Sequence, residues 1–400
     1  MFYPHGGGAE LATYLYAKLL SERGFNIVVV TNRFNGEPAV SETGNLTVYR
    51  LSLFKESSSV KYSILFRSGY LLSGFIRKLV KWADLVYIPR FWFPAIILAK
   101  ACKKPVVTHL HDYIPVCPLS NLYDVSEETI CTHKGAFCSP KCVYVYERTS
   151  RRSLKEVLYS VLLNSALGSY FHRIVALSDA IVCVSTAQRN LIVSNHADLV
   201  AKIHVVYNPL PNTSPAKVRG NDFGFFGGPG HMKGFHVLRK AATIVKTVKP
   251  VMIHATKFPD ANNHSVSLSD LGILTYGKLN KEEYETLYTQ IRTVVVPSVW
   301  AEPLPYVVSE AAMSGRIVIA SSVGGIPEQA AGCEGVFLFE PGDYKALAER
   351  VLFVAGLSEK ECVELGMKNR EFLAERFNNE KIVDEFCRLL ETVVDRYAEG

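Results

Sequence analysis

Two glutamates and the elements around them, at residues 294–328, form the pattern with the clearest chemical meaning in this sequence. The segment VVVPSVWAEPLPYVVSEAAMSGRIVIASSVGGIPE is typical of a buried strand, a loop, a helix at 305–314 and a second strand. The first turn of such a helix presents N–H groups and the positive end of the helix dipole, which suits a diphosphate. Glu302 and Glu310 then suit vicinal sugar or ribose hydroxyls. Each glutamate alone would more commonly be a solvated acid, and it is the whole segment that favours a binding site.

A glycine-rich segment at residues 225–238 (FFGGPGHMKGFHVL) supplies a second part of the pattern. A strand leads into a turn at Gly227, the turn reaches Lys233, and a helix follows. Glycines let the backbone approach a phosphate, and a lysine can offset the charge of a departing diphosphate without a metal ion. Alone, the segment is equally typical of a tight turn with a surface lysine, and its pairing with residues 294–328 favours the phosphate site.

A third glycine-rich segment, HGGGAE at residues 5–10, opens the first predicted helix. Gly7 and Gly8 would let an anionic or sugar ligand approach the backbone at the helix start. The segment does not have the G-x-G-x-x-G spacing of dinucleotide sites, and a plain glycine-rich helix start explains it equally well.

Polar side chains also follow the predicted strand within VVTHLHDYIPVC, at residues 106–117. His109, His111 and Asp112 lie at its carboxyl end, where side chains of a parallel sheet face the ligand crevice. A single histidine there would more commonly be structural, but two histidines and an aspartate together favour a binding site.

Alternating helix and strand patterns predict an α/β protein with two doubly wound, Rossmann-like domains. Strands are predicted at residues 25–32, 84–89, 105–109, 180–185, 203–207, 223–226, 250–255, 293–297 and 316–321, and helices at 8–23, 93–102, 235–249, 305–314 and 379–397. A stretch rich in Pro and Asn at 208–221 lacks apolar periodicity and is typical of a linker. Only five residues precede Gly6, so we expect the strand that normally feeds the first glycine loop to be missing from this sequence.

Four cysteines, Cys117, Cys131, Cys138 and Cys142, lie close together in a loop that contains glycine and proline. Four thiolates suit a tetrahedral zinc ion and, less well, an iron–sulfur cluster. The spacings differ from those of a standard zinc ribbon, and free thiols or oxidative pairing are the alternatives. A metal here would be structural and would order the loop.

Residues 60–82 carry no acidic side chain and interleave lysines and arginines with aromatic and aliphatic residues. A basic amphipathic segment of this kind can lie on an anionic bilayer, or can equally be a core-facing helix with a solvated basic face.

Composition excludes several classes of protein. With 44 basic and 38 acidic side chains, the net charge of +6 is too small to indicate a nucleic-acid-binding protein. The start of the sequence lacks the basic and apolar regions of a signal peptide, and the longest uncharged run, residues 157–172, is shorter than the roughly 20 apolar residues of a membrane span. We therefore expect a cytoplasmic protein, at the inner face of the cell membrane if residues 60–82 bind lipid.

Together, the four chemical segments resemble the group 1 retaining glycosyltransferases (glycosyltransferase family 4), and the resemblance covers nearly the whole chain. It implies the GT-B fold, in which two Rossmann-like domains face a central cleft. The implied divisions are an acceptor-side domain at 1–207 with the Cys-rich loop 117–142, a nucleotide-sugar domain at 208–376, and a C-terminal helix at 377–400 that packs back towards the first domain.

The resemblance also implies roles for individual residues. The matching catalytic residues are His111, Lys233 and Glu302. The matching donor-binding residues are Gly7, Gly8, Gly227, Lys233, Leu304, Pro305, Tyr306 and Glu310, with residues 275–279 facing the base. The implied reaction transfers a hexosyl group from a UDP-, GDP- or ADP-linked donor to a glycan or lipid-linked acceptor, with retention and without a metal cofactor.

One position departs from the family pattern. The family often has an arginine directly after the glycine that ends the strand, but Gly228 follows Gly227 here. His231 and Arg316 are the candidates to replace that diphosphate contact. The departure keeps open a catalytically silent nucleotide-sugar-binding protein, whereas the glutamate pair disfavours the third alternative, a nucleotide-sugar epimerase of the same fold.

Overall fold

The structure, a computed structural model, describes residues 2–52, 68–90, 92–131, 140–149, 153–213, 218–259 and 266–399. The contacts of the chain divide it into two units. Unit 1 comprises Met1–Pro209 together with Asn379–Gly400, and unit 2 comprises Leu210–Asn378.

The described strands of unit 1 form two main sheets and a small hairpin. They are β1 (Ile27–Asn32), β2 (Val40–Thr43), β3 (Leu46–Leu51), β4 (Val86–Pro89), β5 (Val106–Leu110), β6 (Tyr123–Asp124), β7 (Thr129–Ile130), β8 (Ala180–Cys183) and β9 (Ile203–Val205). One sheet has the order β1-β3-β2 with β2 antiparallel, and the other is the parallel sheet β4-β5-β8-β9. The sequence pattern predicts one parallel sheet here, whereas the described strands form two sheets. They are separate because no described strand pairs with both β1 and β4, an edge strand of each sheet.

Helices flank these sheets. They are α1 (Gly8–Glu22), α2 (Gly74–Trp82), α3 (Pro94–Ala101), α4 (Pro140–Thr149), α5 (Leu154–Val175), α6 (Thr186–Asn195) and, after unit 2, α14 (Asn379–Glu399). Short 3-10 helices lie at Ser68–Leu72 and Ala197–Lys202. Helix α14 packs against α1, where Phe386 meets the ring of Tyr16 with centroids 4.5 Å apart. These contacts place the last helix in unit 1.

Unit 2 contains one six-stranded parallel sheet of order β12-β11-β10-β13-β14-β15. Its strands are β10 (Asp222–Phe225), β11 (Ile253–Ala255), β12 (Ile273–Thr275), β13 (Ile291–Val296), β14 (Ile317–Ser321) and β15 (Val336–Phe339). Every residue of β13 and β14 is buried, because helices cover both faces of the sheet centre. The strand order reverses between β10 and β13, so the crevice at their carboxyl ends is where a doubly wound sheet binds its ligand.

Unit 2 contains seven described α-helices, some of which begin at side-chain caps. They are α7 (Phe235–Val248), α8 (Val266–Ser269), α9 (Lys281–Gln290), α10 (Tyr306–Met313), α11 (Ile326–Ala330), α12 (Tyr344–Gly356) and α13 (Glu359–Arg376), with a 3-10 turn at His231–Lys233. Asn280 with Glu283, and Ser358 with Glu361, form reciprocal capping boxes before α9 and α13. The side chains of these caps satisfy N–H groups that the first helical turn leaves unpaired.

The α/β class and the parallel sheets predicted from the sequence are confirmed, and the predicted strands and helices recur with ends displaced by a few residues. None of the described helices combines the length and apolar character required to cross a bilayer.

Candidate functional site

Two loops meet at the switch point of the unit 2 sheet. One follows β10 and contains Gly227 and Lys233, and the other follows β13 and contains Glu302. The Val299 N–H donates to the carbonyl oxygen of Met232 at 3.0 Å, which ties the loops together. Both segments singled out from the sequence therefore lie at the same edge of one sheet, because each follows the carboxyl end of one of two neighbouring parallel strands.

Gly234 sets how closely these loops approach. Its φ is +73°, and a Cβ built on it would lie 1.6 Å from the carbonyl oxygen of Pro297. Only glycine accommodates this contact, because any other residue would place its side chain inside the neighbouring backbone. The glycine therefore allows the loop that carries Lys233 to reach the loop that carries Glu302.

Lys233 and Glu302 are in direct contact. The Lys233 Nζ donates to Glu302 Oε1 at 2.7 Å, and the Ser298 hydroxyl donates to the same oxygen at 2.8 Å. Glu302 is only 4% exposed, whereas the Lys233 side chain is 41% exposed and its ammonium lies 5.4 Å from the centroid of the Trp300 ring. The glutamate is thus held in place, and the lysine keeps an open side on which it could meet an anion.

Helix α10 begins beside this pair. Pro305 is its N-cap residue and Tyr306 its first residue, with Leu304 just before them. The Gln329 amide donates to the Pro305 carbonyl at 3.3 Å and to the Ser309 hydroxyl at 2.6 Å, so α11 supports the start of α10. The amino end of α10, with its positive dipole, accordingly lies next to the Lys233–Glu302 loop.

Glu310 lies one turn further along α10 and is only partly exposed. Burial raises the pKa of this carboxyl from 4.5 to about 7, and the positive charge of Lys257 opposes the rise. Glu310 is thus poised to change charge near neutral pH, and its oxygens would gain stabilisation from a ligand that donates hydrogen bonds.

Arg316 cannot replace the arginine that the family has after Gly227. Its guanidinium is fully buried and donates to the main-chain carbonyls of Ile291, Ser314 and Tyr288 at 3.1, 2.6 and 2.9 Å. The sequence-based suggestion for Arg316 is therefore wrong, because a side chain that satisfies three buried carbonyls has a structural role. The other candidate, His231, stacks on His236 with ring centroids 4.1 Å apart.

In unit 1, the glycine loop is organised by Glu10. The Gly7 N–H donates to Glu10 Oε2 at 2.8 Å, and Gly8 is the first residue of α1. Arg90, which follows β4, donates to the other oxygen, Oε1, at 2.7 Å. Glu10 therefore occupies the N–H of Gly7 in this structure, which limits what that group can offer a ligand.

His111 lies just beyond β5, and its ring stacks on His109 with centroids 4.4 Å apart. Burial, then His109 and Arg90, hold the pKa of His111 well below its usual range, so the imidazole is neutral at physiological pH. His109 bonds the Tyr87 hydroxyl through Nδ1 at 2.8 Å, and burial lowers its pKa to about 3. Among the described residues, the buried Nε2 of His111 has no hydrogen-bond partner, so this atom is available to a ligand hydroxyl.

Three of the four clustered cysteines fall within the described residues, and Cys138 lies outside them. Cys117 donates to Asn121 Oδ1 at 3.6 Å, the Cys131 N–H donates to the Leu122 carbonyl at 2.9 Å, and Cys142 donates to the Tyr123 carbonyl at 3.8 Å. The three thus surround one short segment. Within the described chain, the side chains close enough to share an ion are instead His172, His196 and Asp198. The four-thiolate zinc site stays a prediction.

Sequence reasoning missed three residues of the unit 2 site: Ser298, Trp300 and Lys257. Lys257 follows the carboxyl end of β11, so the strand-end argument that singled out His111 applies to it equally. Ser298 and Trp300 lie inside the 294–328 segment, but only the folded loop shows that they contact Glu302 and Lys233.

Comparison with known sequences matches both halves of the chain. The profile of the family described as Glycosyltransferase Family 4 matches residues 6–212, and that described as Glycosyl transferases group 1 matches residues 220–356. A relative from Klebsiella pneumoniae, described as an uncharacterized 42.6 kDa protein in the cps region, is 23% identical over an alignment of 354 positions that covers 85% of this chain and 88% of that protein.

Solved structures show the same fold. Sucrose-phosphate synthase from Thermosynechococcus elongatus aligns with a TM-score of 0.69 at 15% identity, covering 98% of this chain and 94% of that one. Anabaena HepE in complex with UDP-glucose aligns with a TM-score of 0.62 at 16% identity, and the alignment covers 98% of both chains. The catalytic domain of Arabidopsis thaliana starch synthase IV, bound to ADP and acarbose, aligns with a TM-score of 0.65 at 13% identity. The alignment covers 100% of this chain and 98% of that one. The chain has the GT-B fold and belongs to glycosyltransferase family 4, the group 1 glycosyltransferases.

Proposed function

We propose that this glycosyltransferase moves a hexosyl group from a nucleoside-diphosphate donor to a glycan or lipid-linked acceptor, with retention of anomeric configuration. The observation that carries the proposal is the contact between Lys233 and Glu302 at the switch point of unit 2, beside the amino end of α10. Two structures of the same fold support a nucleotide-sugar donor, since HepE was solved with UDP-glucose and starch synthase IV with ADP.

In the proposed donor complex, the diphosphate lies between Lys233 and the first turn of α10. The exposed side of the Lys233 ammonium faces it, and main-chain N–H groups near residues 304–306 bind its oxygens. Glu310 accepts hydrogen bonds from the ribose hydroxyls, and Glu302, fixed by Ser298, approaches the sugar. For His111, in unit 1, we keep the role that the family resemblance implies, a neutral imidazole that bonds a sugar hydroxyl.

The bond that breaks joins C1 of the sugar to the β-phosphate oxygen, and its electron pair leaves with the diphosphate. Lys233 and the dipole of α10 stabilise the charge that develops on that oxygen. The acceptor oxygen attacks C1 from the face that the diphosphate leaves, through an oxocarbenium-like state, and its proton passes to the departing diphosphate. We assign no carboxylate as a covalent nucleophile.

We propose that this chemistry proceeds without a metal cofactor, because Lys233 and α10 supply the countercharge to the leaving diphosphate. Activity should therefore persist in EDTA. A loss of activity in EDTA that Mg²⁺ or Mn²⁺ restores would refute this part of the proposal.

Exposed apolar side chains on unit 1 support a lipid-linked acceptor and a peripheral contact with anionic membrane. On α2, Phe75 and Trp82 are exposed beside Arg77, Lys78 and Lys81, while Ile76 and Val80 are buried. A helix with this division can lie in the interface of an anionic bilayer. Residues 60–67, the remainder of the predicted basic segment, lie outside the described residues.

A second exposed stripe lies on α5. Leu154, Leu158 and Leu162 follow one another at intervals of four residues, which places them on one face, and each is more than half exposed. Helices α2 and α5 both pack against α3. Unit 1 therefore presents two surfaces suited to lipid.

The test compares the protein with its Lys233→Ala variant on UDP-, GDP- and ADP-sugars, with and without a membrane lipid extract. Chromatography measures the free nucleoside diphosphate, and NMR of the product reports the anomeric configuration. We expect release from one donor to fall at least about 100-fold in the variant, as for loss of a transition-state cation. Lys246→Ala, an exposed lysine on α7, is the matched control and should keep full activity.

Dependence of release on the lipid extract would support a lipid-linked acceptor. Binding of one donor without release, in any acceptor mixture, would refute the enzymatic proposal and favour a silent nucleotide-sugar-binding protein. An inverted product would refute retention alone. Unchanged binding to anionic vesicles in the variant Phe75→Ser/Trp82→Ser would refute the membrane contact through α2.

A further inference from the structure

Lys257 occupies an unusual position at the edge of the unit 2 sheet. It lies two residues beyond the end of β11 and has a φ of +69°, which residues other than glycine rarely adopt. Its N–H donates to the Gly277 carbonyl at 3.1 Å, and the neighbouring Thr256 N–H donates to Phe225 at 3.0 Å. These bonds hold the residue at the carboxyl ends of three adjacent strands, and left-handed backbone of this kind clusters at functional sites.

The residue next to Lys257 across the sheet edge is Gly228, where the family often has arginine. A Cβ built on Gly228 would lie 3.2 Å from the Lys257 carbonyl oxygen and 3.5 Å from its Cβ. Gly228 itself has a φ of +72°, so an arginine there would be strained. The Lys257 side chain therefore starts within van der Waals distance of the place where that arginine side chain would start.

The charges around Lys257 belong to the donor site. Desolvation and then the positive charge of Lys233 lower the pKa of Lys257, whereas Glu310 acts in the opposite direction. Lys257 thus lies within electrostatic reach of Lys233 and Glu310, for which we propose contacts with the diphosphate and the ribose. Because Glu302 is paired with Lys233, a further positive charge here would add to the countercharge that Lys233 and α10 offer a diphosphate.

We propose that Lys257 is the second cation of the donor-diphosphate site and supplies the contact that Gly228 lacks. The inference rests on the proposed nucleotide-sugar donor, and it adds a residue from a different strand to the binding machinery. In this proposal, the left-handed backbone at Lys257 serves to direct the ammonium of a strand-end residue towards the diphosphate.

The test measures dissociation constants by calorimetry for a series of ligands of rising phosphate charge. UDP, GDP and ADP are compared with their monophosphates and nucleosides, for the protein and for Lys257→Gln. We expect the diphosphate that binds best to bind about 10-fold more weakly to the variant, as for loss of one charge-assisted hydrogen bond. The nucleoside should bind equally, and Lys257→Arg should restore most of the diphosphate affinity.

Two further variants separate charge from backbone effects. Lys257→Gly removes the ammonium and relieves the positive-φ strain, so it should fold well and weaken diphosphate binding as Lys257→Gln does. Lys246→Gln removes an equal charge from the exposed face of α7 and should leave every dissociation constant unchanged. Equal losses for nucleoside and diphosphate would overturn the inference, because they would indicate a general distortion of the loop.

The inference and the proposed function fail in different ways. If the unmodified protein binds none of the three diphosphates and releases none from their sugars, the proposed function fails and the inference fails with it. If the protein releases a diphosphate normally and Lys257→Gln binds it with unchanged affinity, only the inference is overturned.

Discussion

Replacing Glu310 by glutamine should stabilise unit 2 while weakening donor binding. Burial raises the pKa of this carboxyl to about 7, against an ordinary value of 4.5. Below about pH 4 the carboxyl is protonated in the folded and unfolded chain alike, so it costs no stability. As pH rises, the unfolded chain ionises first, and stability is lost until the pH passes the folded value near 7.

The pKa difference sets the size of the effect. A rise of about 2.5 units, at about 1.36 kcal/mol per unit, amounts to about 3 kcal/mol of stability lost by about pH 8. Glutamine keeps the shape and cannot ionise. The gain in free energy of unfolding for Glu310→Gln should therefore grow from near zero at about pH 4 to about 3 kcal/mol at about pH 8.

The assay is urea unfolding followed by fluorescence in a Trp82→Phe/Trp92→Phe background, which leaves Trp300 of unit 2 as the single tryptophan. Glu349→Gln, an exposed glutamate on α12, is the matched control and should show no comparable gain. A stability difference for Glu310→Gln that does not change with pH would refute the reasoning, since it would mean that the carboxyl is not held above its ordinary pKa in the folded protein.

Donor affinity should depend on the same ionisation but rise with pH, whereas the stability of unit 2 falls. If the ribose hydroxyls bind the ionised carboxylate, the dissociation constant of the donor should be about 10-fold larger at pH 6 than at pH 8, and Glu310→Gln should abolish this dependence. Calorimetry at both pH values measures it, and a flat profile for the unmodified protein would contradict the role assigned to Glu310.

Two more variants test the loops of the site. Gly234→Ala places a methyl group 1.6 Å from the Pro297 carbonyl oxygen, so it should destabilise unit 2 by about 3 kcal/mol or more and abolish donor binding. Gly230→Ala, the control, has open space around it and should do neither. Equal melting curves for the two variants would contradict the close approach of the loops. Ser298→Ala removes the 2.8 Å hydrogen bond to Glu302 and should lower kcat about 10-fold with little change in donor affinity, and an unchanged kcat would show that Glu302 needs no such support.

Local patterns in the sequence were sufficient to predict four of the six unit 2 strands, β10, β11, β13 and β14, and the loops that follow β10 and β13. The apolar run before Pro297, the Pro305 helix start and the alternating elements around them act over a few residues, so the predicted helix at 305–314 recurs as Tyr306–Met313. The glycine loop of residues 225–238 was recognisable for the same reason. These short-range features placed Lys233 and Glu302 on loops after parallel strands.

Long-range packing decided the rest. The Lys233–Glu302 contact joins residues 69 positions apart, and it depends on the loop approach that Gly234 allows. Arg316 looked like a spare cation in the sequence, yet the fold buries it against three carbonyls. The distinction is physical, because a side chain's environment depends on which strands become neighbours.

The position of Lys257 also depends on long-range packing. The sequence by itself determined the family, the α/β class and the glycine in place of the usual arginine. Only the tertiary structure decided that β10 and β11 pair in parallel, which brings Lys257 beside Gly228 although they are 29 positions apart in the chain. Strand pairing is set by the burial of both sheet faces across the whole unit, and no local pattern around Lys257 contains that information.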